Sequence, residues 1–376
     1  MELCFTDEQE RFRSKVREYA VSRIAPSVPA MEQSDAFPRT LVSEMGGFGL
    51  LGLPVPKEWG GSGADLISYM IAIEEISKAS ATVGVILSVH TSVATLPILY
   101  YGTEEQKKKY LPKLASGEWL GAFALTESHA GSAAATIRTS ADWDGTDYIL
   151  NGSKVFITNA GEADVYIVFA VTGPGQGASG VSTFIVEKAA PGFRVEKKEK
   201  KMGLRGSNTC ELTFDQVRLP AAQRLGQEGQ GFVMAKSILD GGRIGIGAQA
   251  LGIARAALEH TELLMKARYA KERQRAVEPV LTELAARVEA ASLLVYRAAW
   301  LRQNGKPCTK EASMAKMFAS DTAMSVTTEA LQLFGGSGWT NELPLERLFR
   351  DAKVTQIYEG TNQIHRIVIS NELLKS

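Results

Sequence analysis

Cysteine is scarce: Cys4, Cys210 and Cys308 are the only three in 376 residues, far apart and without CxxC spacing. That excludes a disulfide framework or a thiolate metal centre and fits a reducing compartment, so no metal site is expected. A surplus of one charge is also missing. Lys plus Arg and Asp plus Glu are equal at 42 each, which leaves no basic excess for nucleic acid or an anionic membrane. The chain lacks a clean membrane-length apolar run. Its most apolar stretch, Val83 to Tyr101, is broken by Ser88, His90, Thr91, Ser92 and Pro97 and reads as a buried helix. Met1 to Glu8 is acidic and helix-like, unlike a signal or transit peptide. The expectation is a cytoplasmic chain.

The length exceeds the usual size of one core, and three regions follow one another. Thr6 with Gln9 reads as a capping box that starts an amphipathic helix running to about Ile24. Pro38 opens a second helix, and a third runs from about Asp65 to Lys78. Thr103 with Gln106 starts a short basic helix expected to end at Pro112. Near Leu120 the pattern changes to β-rich runs at Gly121–Glu127, Val165–Val171, Thr183–Val186 and Glu211–Phe214, separated by turn clusters. From Gly231 the helical period returns over roughly 231–269, 280–304, 309–334 and 363–374. The fold class expected is therefore α+β and multidomain. It has an N-terminal all-helical domain (1–117), a middle antiparallel β-barrel domain (118–225) and a C-terminal four-helix bundle (226–376).

The most informative stretch is Ile357 to Arg366, where Glu359 sits between Tyr358 and Gly360 ahead of Thr361 and Asn362. Glycine permits the turn, and Thr or Asn caps the helix that follows. A carboxylate buried there has its pKa raised and suits a general base. The plainer alternative is an acid in the first turn of a surface helix, where the macrodipole favours it. The run Arg350 to Thr361 resembles the C-terminal signature of the acyl-CoA dehydrogenases, and the order α, β, α resembles their fold along nearly the whole chain. That resemblance implies that Glu359 takes the α-proton of an acyl-CoA thioester and that FAD accepts the β-hydrogen as hydride. It further implies an electron-transfer flavoprotein as acceptor, a homotetramer, and short-chain, butyryl-type substrates.

The segment Phe123 to Ser132 resembles the family's Leu-Thr-Glu-x-x-Ala-Gly-Ser motif, which places Phe123, Leu125, Thr126 and Ser132 at the flavin and Ser132 also at the substrate. Asn151 to Asn159 resembles the second flavin-facing strand, with Phe156, Ile157 and Thr158 at the cofactor. Read without the family, these are a polar turn and a hairpin of β-formers. Gly335, Gly336 and Gln332 match positions that approach the FAD of a neighbouring subunit, and Thr361 and Gln363 also match cofactor positions. On their own the glycines make a helix C-cap, and a dinucleotide fingerprint fails because no strand precedes them. Asp240, Arg243, Tyr358 and Gly360 are the implied substrate contacts. Some relatives carry the base near Asp240; here Gly241 and Gly242 stand there, leaving Glu359 without a rival.

Several positions depart from the family pattern: Ser128 replaces a Pro, Ala133 an Asp, and Phe156 the commoner Trp. After Arg273 the family's Phe-Gly-Lys and following Gln are missing, and only Arg273 or Arg275 remains to hold the FAD pyrophosphate. Two alternatives follow: an acyl-CoA-binding or assembly protein with weak or lost FAD, and an oxygen-using oxidase.

Overall fold

The structure is a computed structural model that describes residues 5–268 and 271–375. Its first third is helical: α1 (Asp7–Tyr19), α2 (Val28–Ser34), α3 (Arg39–Gly47), α4 (Leu66–Ala79), α5 (Ala81–Ser88), α6 (Leu96–Tyr101) and α7 (Glu104–Ser116). Both expected capping boxes are present, with each Thr accepting from the third-residue N–H and each Gln side chain accepting in return. α7 does not stop at Pro112 as its sequence suggested. Leu111, Leu114 and Ala115 are buried on either side of the proline, and their packing carries the helix through the one hydrogen bond that proline removes.

A π-helical segment, Val89–Thr95, joins α5 to α6. The run Ala81–Tyr101 is long and apolar enough to cross a membrane by composition, but 94% of its apolar window is buried inside the protein. It is the central core helix. Its polar groups are satisfied internally: His90 Nδ1 accepts from Gly121 N–H at 3.0 Å while Nε2 meets the Leu114 carbonyl at 3.1 Å. The imidazole thereby ties the helical third to the first strand.

The middle region is one eight-stranded sheet: β1 (Gly121–Ala124), β2 (Ser140–Trp143), β3 (Asp147–Thr158), β4 (Val165–Val171), β5 (Val181–Glu187), β6 (Phe193–Lys198), β7 (Thr209–Pro220) and β8 (Arg224–Leu225). The strand order is β6-β7-β3-β2-β4-β5-β8, with β1 added to β4. Most neighbours are antiparallel, as expected, but β1 pairs with β4 in parallel and β2 meets β4 through one parallel bridge. Parallel neighbours cannot be joined by a tight hairpin; here β2 and β3 occupy the chain between β1 and β4. Among the described residues β6 and β8 do not pair, so the sheet is not closed into a barrel by its two ends.

β4 shows why this region reads as a continuous apolar run. Val165, Ile167 and Phe169 face the helical core, while Tyr166, Val168 and Ala170 face a second core within the sheet. Alternate side chains point to opposite faces, and here both faces are dry.

The last third comprises α8 (Gly231–Arg268), α9 (Lys271–Gln303), α10 (Thr309–Phe334), α11 (Gly336–Trp339), α12 (Leu345–Thr355) and α13 (Asn362–Leu373). α12 was not expected from the sequence. Its Leu345, Leu348 and Ala352 are buried against the bundle, and its end delivers the chain to Glu359. The helices before and after the sheet share a single core, so the site lies where the bundle, the π-helical segment and the sheet meet.

Candidate active site

Between α12 and α13 the chain makes a tight reversal. The Val354 carbonyl accepts from the N–H of Ile357 at 2.8 Å and of Tyr358 at 3.1 Å. Glu359 and Gly360 then take left-handed backbone in succession, with φ of 53° and 94°. Such a conformation costs a non-glycine residue about 1 kcal/mol, so the surroundings must hold it. Thr361 caps α13 by accepting from Ile364 N–H at 3.3 Å. Glu359 therefore precedes the cap and does not lie in a first helical turn.

The carboxylate points inward. Glu359 Oε2 is buried and has no hydrogen-bond partner. Burial pushes this carboxyl up to about 7, against the opposing pull of Arg243 and Lys316. Space for it comes from α8: a Cβ on Gly242 would sit 2.6 Å from Oε2 and 3.0 Å from Val93 Cγ1 of the π-helical segment. Gly242 is thus a requirement of the Glu359 position as well as the absence of a rival acid.

The other expected substrate residues surround this point. Asp240 and Arg243 are both buried; Arg243 Nη1 donates to Asp240 Oδ1 at 2.8 Å and Thr309 Oγ1 to Asp240 Oδ2 at 2.6 Å. Tyr358 donates its hydroxyl to Gln249 Oε1, and burial raises its pKa. Beside Gly241 lies a small apolar recess formed by Leu66, Met70, Ser92, Leu96 and Ile244. A cleft of about 940 Å³ between α1, α2, α8 and α12 contains none of these groups. Its Arg17, Arg350 and Lys78 are paired with acids.

The sheet presents a second surface. Val155 N–H donates to the Thr126 carbonyl at 2.9 Å, joining the end of β1 to β3. A bulge between Lys154 and Ile157 follows, and Phe156 adopts φ 59° with 64% of its surface exposed. A bulge re-aims a side chain out of the strand's alternation; here it leaves an aromatic ring free on the sheet. Thr126 and Thr158 are half-buried and Ser132 is exposed, while Leu125 and Ile157 are buried and offer mainly backbone. Phe123 packs tilted on Phe169 with ring centroids 5.1 Å apart.

Beneath this surface Lys154 Nζ donates to the Leu125 carbonyl at 2.9 Å and to Glu127 Oε1 at 2.8 Å. Glu127 also accepts the N–H groups of Arg138 and Thr139 at 2.7 and 3.0 Å. An exposed ring, adjacent hydroxyls and a braced backbone suit a planar heteroaromatic cofactor, and the unpartnered carboxylate suits a substrate beside it.

Gln332, Gly335 and Gly336 lie on an exposed helix end, with Gly335 at φ 54° and ψ −128°, which only glycine adopts readily. Gln363 is exposed on α13. Arg273 belongs to α9, but its side chain lies outside the described residues.

Three family models match in order: the acyl-CoA dehydrogenase N-terminal domain over residues 6–118, middle domain over 122–217 and C-terminal domain over 229–374. The chain belongs to the acyl-CoA dehydrogenase family. It is 56% identical over 378 residues to an acyl-CoA dehydrogenase of Bacillus subtilis, covering 98% of each chain. Among solved structures it matches butyryl-CoA dehydrogenase from Megasphaera elsdenii with a TM-score of 0.97 and 44% identity, each chain fully covered. A chain from the structure described as electron transferring flavoprotein of Acidaminococcus fermentans also matches, at TM-score 0.98 and 47% identity over both full lengths.

Sequence reasoning missed three members of this acyl-CoA dehydrogenase site. Lys316 is wholly buried, and its Nζ donates to the Gly360 carbonyl at 2.7 Å and Asn362 Oδ1 at 2.9 Å. A signal existed: Ala312, Ala315, Ala319 and Ala323 mark the buried stripe of α10, and Lys316 falls on it. The Glu127–Lys154 pair is the second omission, since its partners are brought together only by folding. His365, buried under Gly360 with burial lowering its pKa to about 3, is the third.

Proposed function

We propose that this chain catalyses the FAD-dependent α,β-dehydrogenation of a short-chain acyl-CoA to the trans-2-enoyl-CoA. The observation that carries the reading is the buried, unpartnered Glu359 carboxylate with a pKa near 7. A base so poised is ionised in part at neutral pH yet basic enough to take a proton from carbon beside a thioester. Glu359 removes the α-proton, and a backbone N–H of its turn polarises the thioester carbonyl, stabilising the charge that develops there. Bound FAD supplies the hydride acceptor for the β-hydrogen. Phe156, Thr126, Ser132 and Thr158, with the backbone of Leu125 and Ile157, hold it against the sheet, and Phe123 backs them.

Asp240 and Arg243 hold the mouth of the substrate channel, while Tyr358 and Gly360 line its inner end. The small recess at Ser92, Leu96 and Ile244 supports a short acyl tail. Gln332, Gly335 and Gly336 face the FAD of a second copy, with Thr361 and Gln363 completing the cofactor contacts. A homotetramer follows, with an electron-transfer flavoprotein as acceptor. Cytoplasmic residence is consistent with free, buried Cys210 and Cys308.

Titrating the purified protein with acyl-CoAs of increasing length, while recording the visible flavin spectrum, tests the reading. Bleaching strongest with butyryl-CoA is expected. A colourless protein that still binds acyl-CoA would instead establish the binding-protein alternative.

A further inference from the structure

Among the described residues, Lys316 is a fully buried cation that hydrogen-bonds to the turn carrying the base. Its ammonium spends its hydrogen bonds on the Gly360 carbonyl and on Asn362 Oδ1. Asn362 is itself held by Ser320 Oγ and Asp321 Oδ1, at 2.9 and 2.8 Å from its Nδ2. The link thus runs from α10 into the residue immediately after Glu359, where two successive left-handed residues need external support.

We propose that Lys316 is a positioning residue for the base: it locks the Glu359–Gly360 turn and, as a buried cation, holds the Glu359 carboxylate in its ionised form. The inference rests on the reading of Glu359 as the base.

The charges facing Lys316 are few. Glu359 on the turn and Asp321 on α10 favour its ammonium form, Arg243 on α8 opposes it, and His365 on α13 is held neutral by burial. Burial brings Lys316 down to about 7, the same region as Glu359. Two groups of opposite sign that titrate together behave as a pair. Where Lys316 keeps its proton, Glu359 loses its own more readily; without that cation, Arg243 is left to oppose burial by itself.

The test compares the wild type with Lys316→Gln, which can still donate to the Gly360 carbonyl without a charge, and with Lys316→Arg, which keeps the charge. Glu359 is titrated by its infrared carboxyl band, assigned through its loss in Glu359→Gln. The Lys316→Gln midpoint should rise by about one pH unit, with the acid limb of kcat moving equally and activity there falling about tenfold. KM should change little, and Lys316→Arg should restore much of the original midpoint.

An unchanged midpoint in Lys316→Gln, with only a lower Tm or flavin content, would make Lys316 structural and overturn the proposal. Should the variants fail to fold, the wild-type band decides alone: coupling demands a broadened titration, and a simple one-proton curve refutes it. Absence of turnover with every acyl-CoA would sink the proposed reaction while leaving the infrared result standing.

Discussion

Among the described residues a buried lysine lies close to a carboxylate both in the sheet and at the α12–α13 turn, and the difference between the two places separates scaffold from chemistry. In the sheet, both oxygens of Glu127 are used: Lys154 Nζ and the N–H groups of Arg138 and Thr139 all bond to them. Burial alone would raise its pKa, but the Lys154 charge and these bonds outweigh burial and hold the carboxyl below its ordinary value. At the α12–α13 turn, Lys316 bonds to the backbone beside Glu359 and leaves Oε2 without a partner. Burial then wins, and the acid rises to about 7. The same residue types give a structural ion pair where both carboxylate oxygens accept hydrogen bonds, and a base where a buried oxygen is left free for a ligand.

Replacing Glu359 by Gln should have the largest effect. Turnover should fall by about 10²–10⁴-fold, the range for loss of a general base, while flavin content and acyl-CoA affinity stay near the wild type. Stopped-flow measurement of flavin bleaching checks this, and retention of most of the rate would place the base elsewhere.

Removing the carboxylate of the other pair should reverse that pattern. Glu127→Ala leaves the Lys154 ammonium buried without its counter-ion, a defect of about 3–5 kcal/mol, read as a lower midpoint in denaturant unfolding. The loss also releases the Arg138 and Thr139 N–H groups and loosens the Lys154 ammonium that braces the Leu125 carbonyl, so the folded fraction should bind flavin more weakly. Unaltered stability would contradict the structural role assigned to this pair.

Gly242→Ala probes the free side of Glu359 directly. Its Cβ would stand 2.6 Å from Oε2, so the carboxylate must shift. A displacement on the order of 1 Å costs about 10²-fold in rate, and the gain in helix propensity makes stability loss small. The comparison of kcat with Tm separates this outcome from general damage.

How much of this was visible beforehand varies with the range of the interaction. Capping boxes at Thr6 and Thr103, the strand Val165–Val171 and the helix limits near Thr309 and Phe334 are local patterns, and the structure keeps them. The Glu359 turn was legible because Gly360, Thr361 and Asn362 are adjacent to it. Long-range facts were not. No local rule places Gly242 against a side chain 117 positions later, or adds β1 to β4 in parallel across two intervening strands. Lys316 falls on an alanine-marked stripe of α10, but the turn it bonds to is 44 residues away, and α7 ran past Pro112 because tertiary packing outweighed a local stop signal.

The smallest effect gives the sharpest form of the comparison, because the two acids tilt stability with pH in opposite directions. Glu359 has a folded pKa above its unfolded value. Its contribution is therefore full below about 4.5 and is lost as pH rises through about 7. Glu127 has a folded pKa below its unfolded value, so its contribution is present at neutral pH and is lost as acid titrates the folded carboxylate. Glu359→Gln should accordingly be more stable than the wild type at pH 8, by on the order of 1–2 kcal/mol once the solvent near the half-buried turn is allowed for. Near pH 4 that advantage should vanish. Glu127→Gln should instead be less stable at neutral pH and approach the wild type only as the solution becomes acidic. Urea unfolding of both variants from pH 4 to 8 measures the two slopes. Curves that run parallel to the wild type would mean that the carboxylates titrate alike in the folded protein, and the distinction between scaffold and base would fail with them.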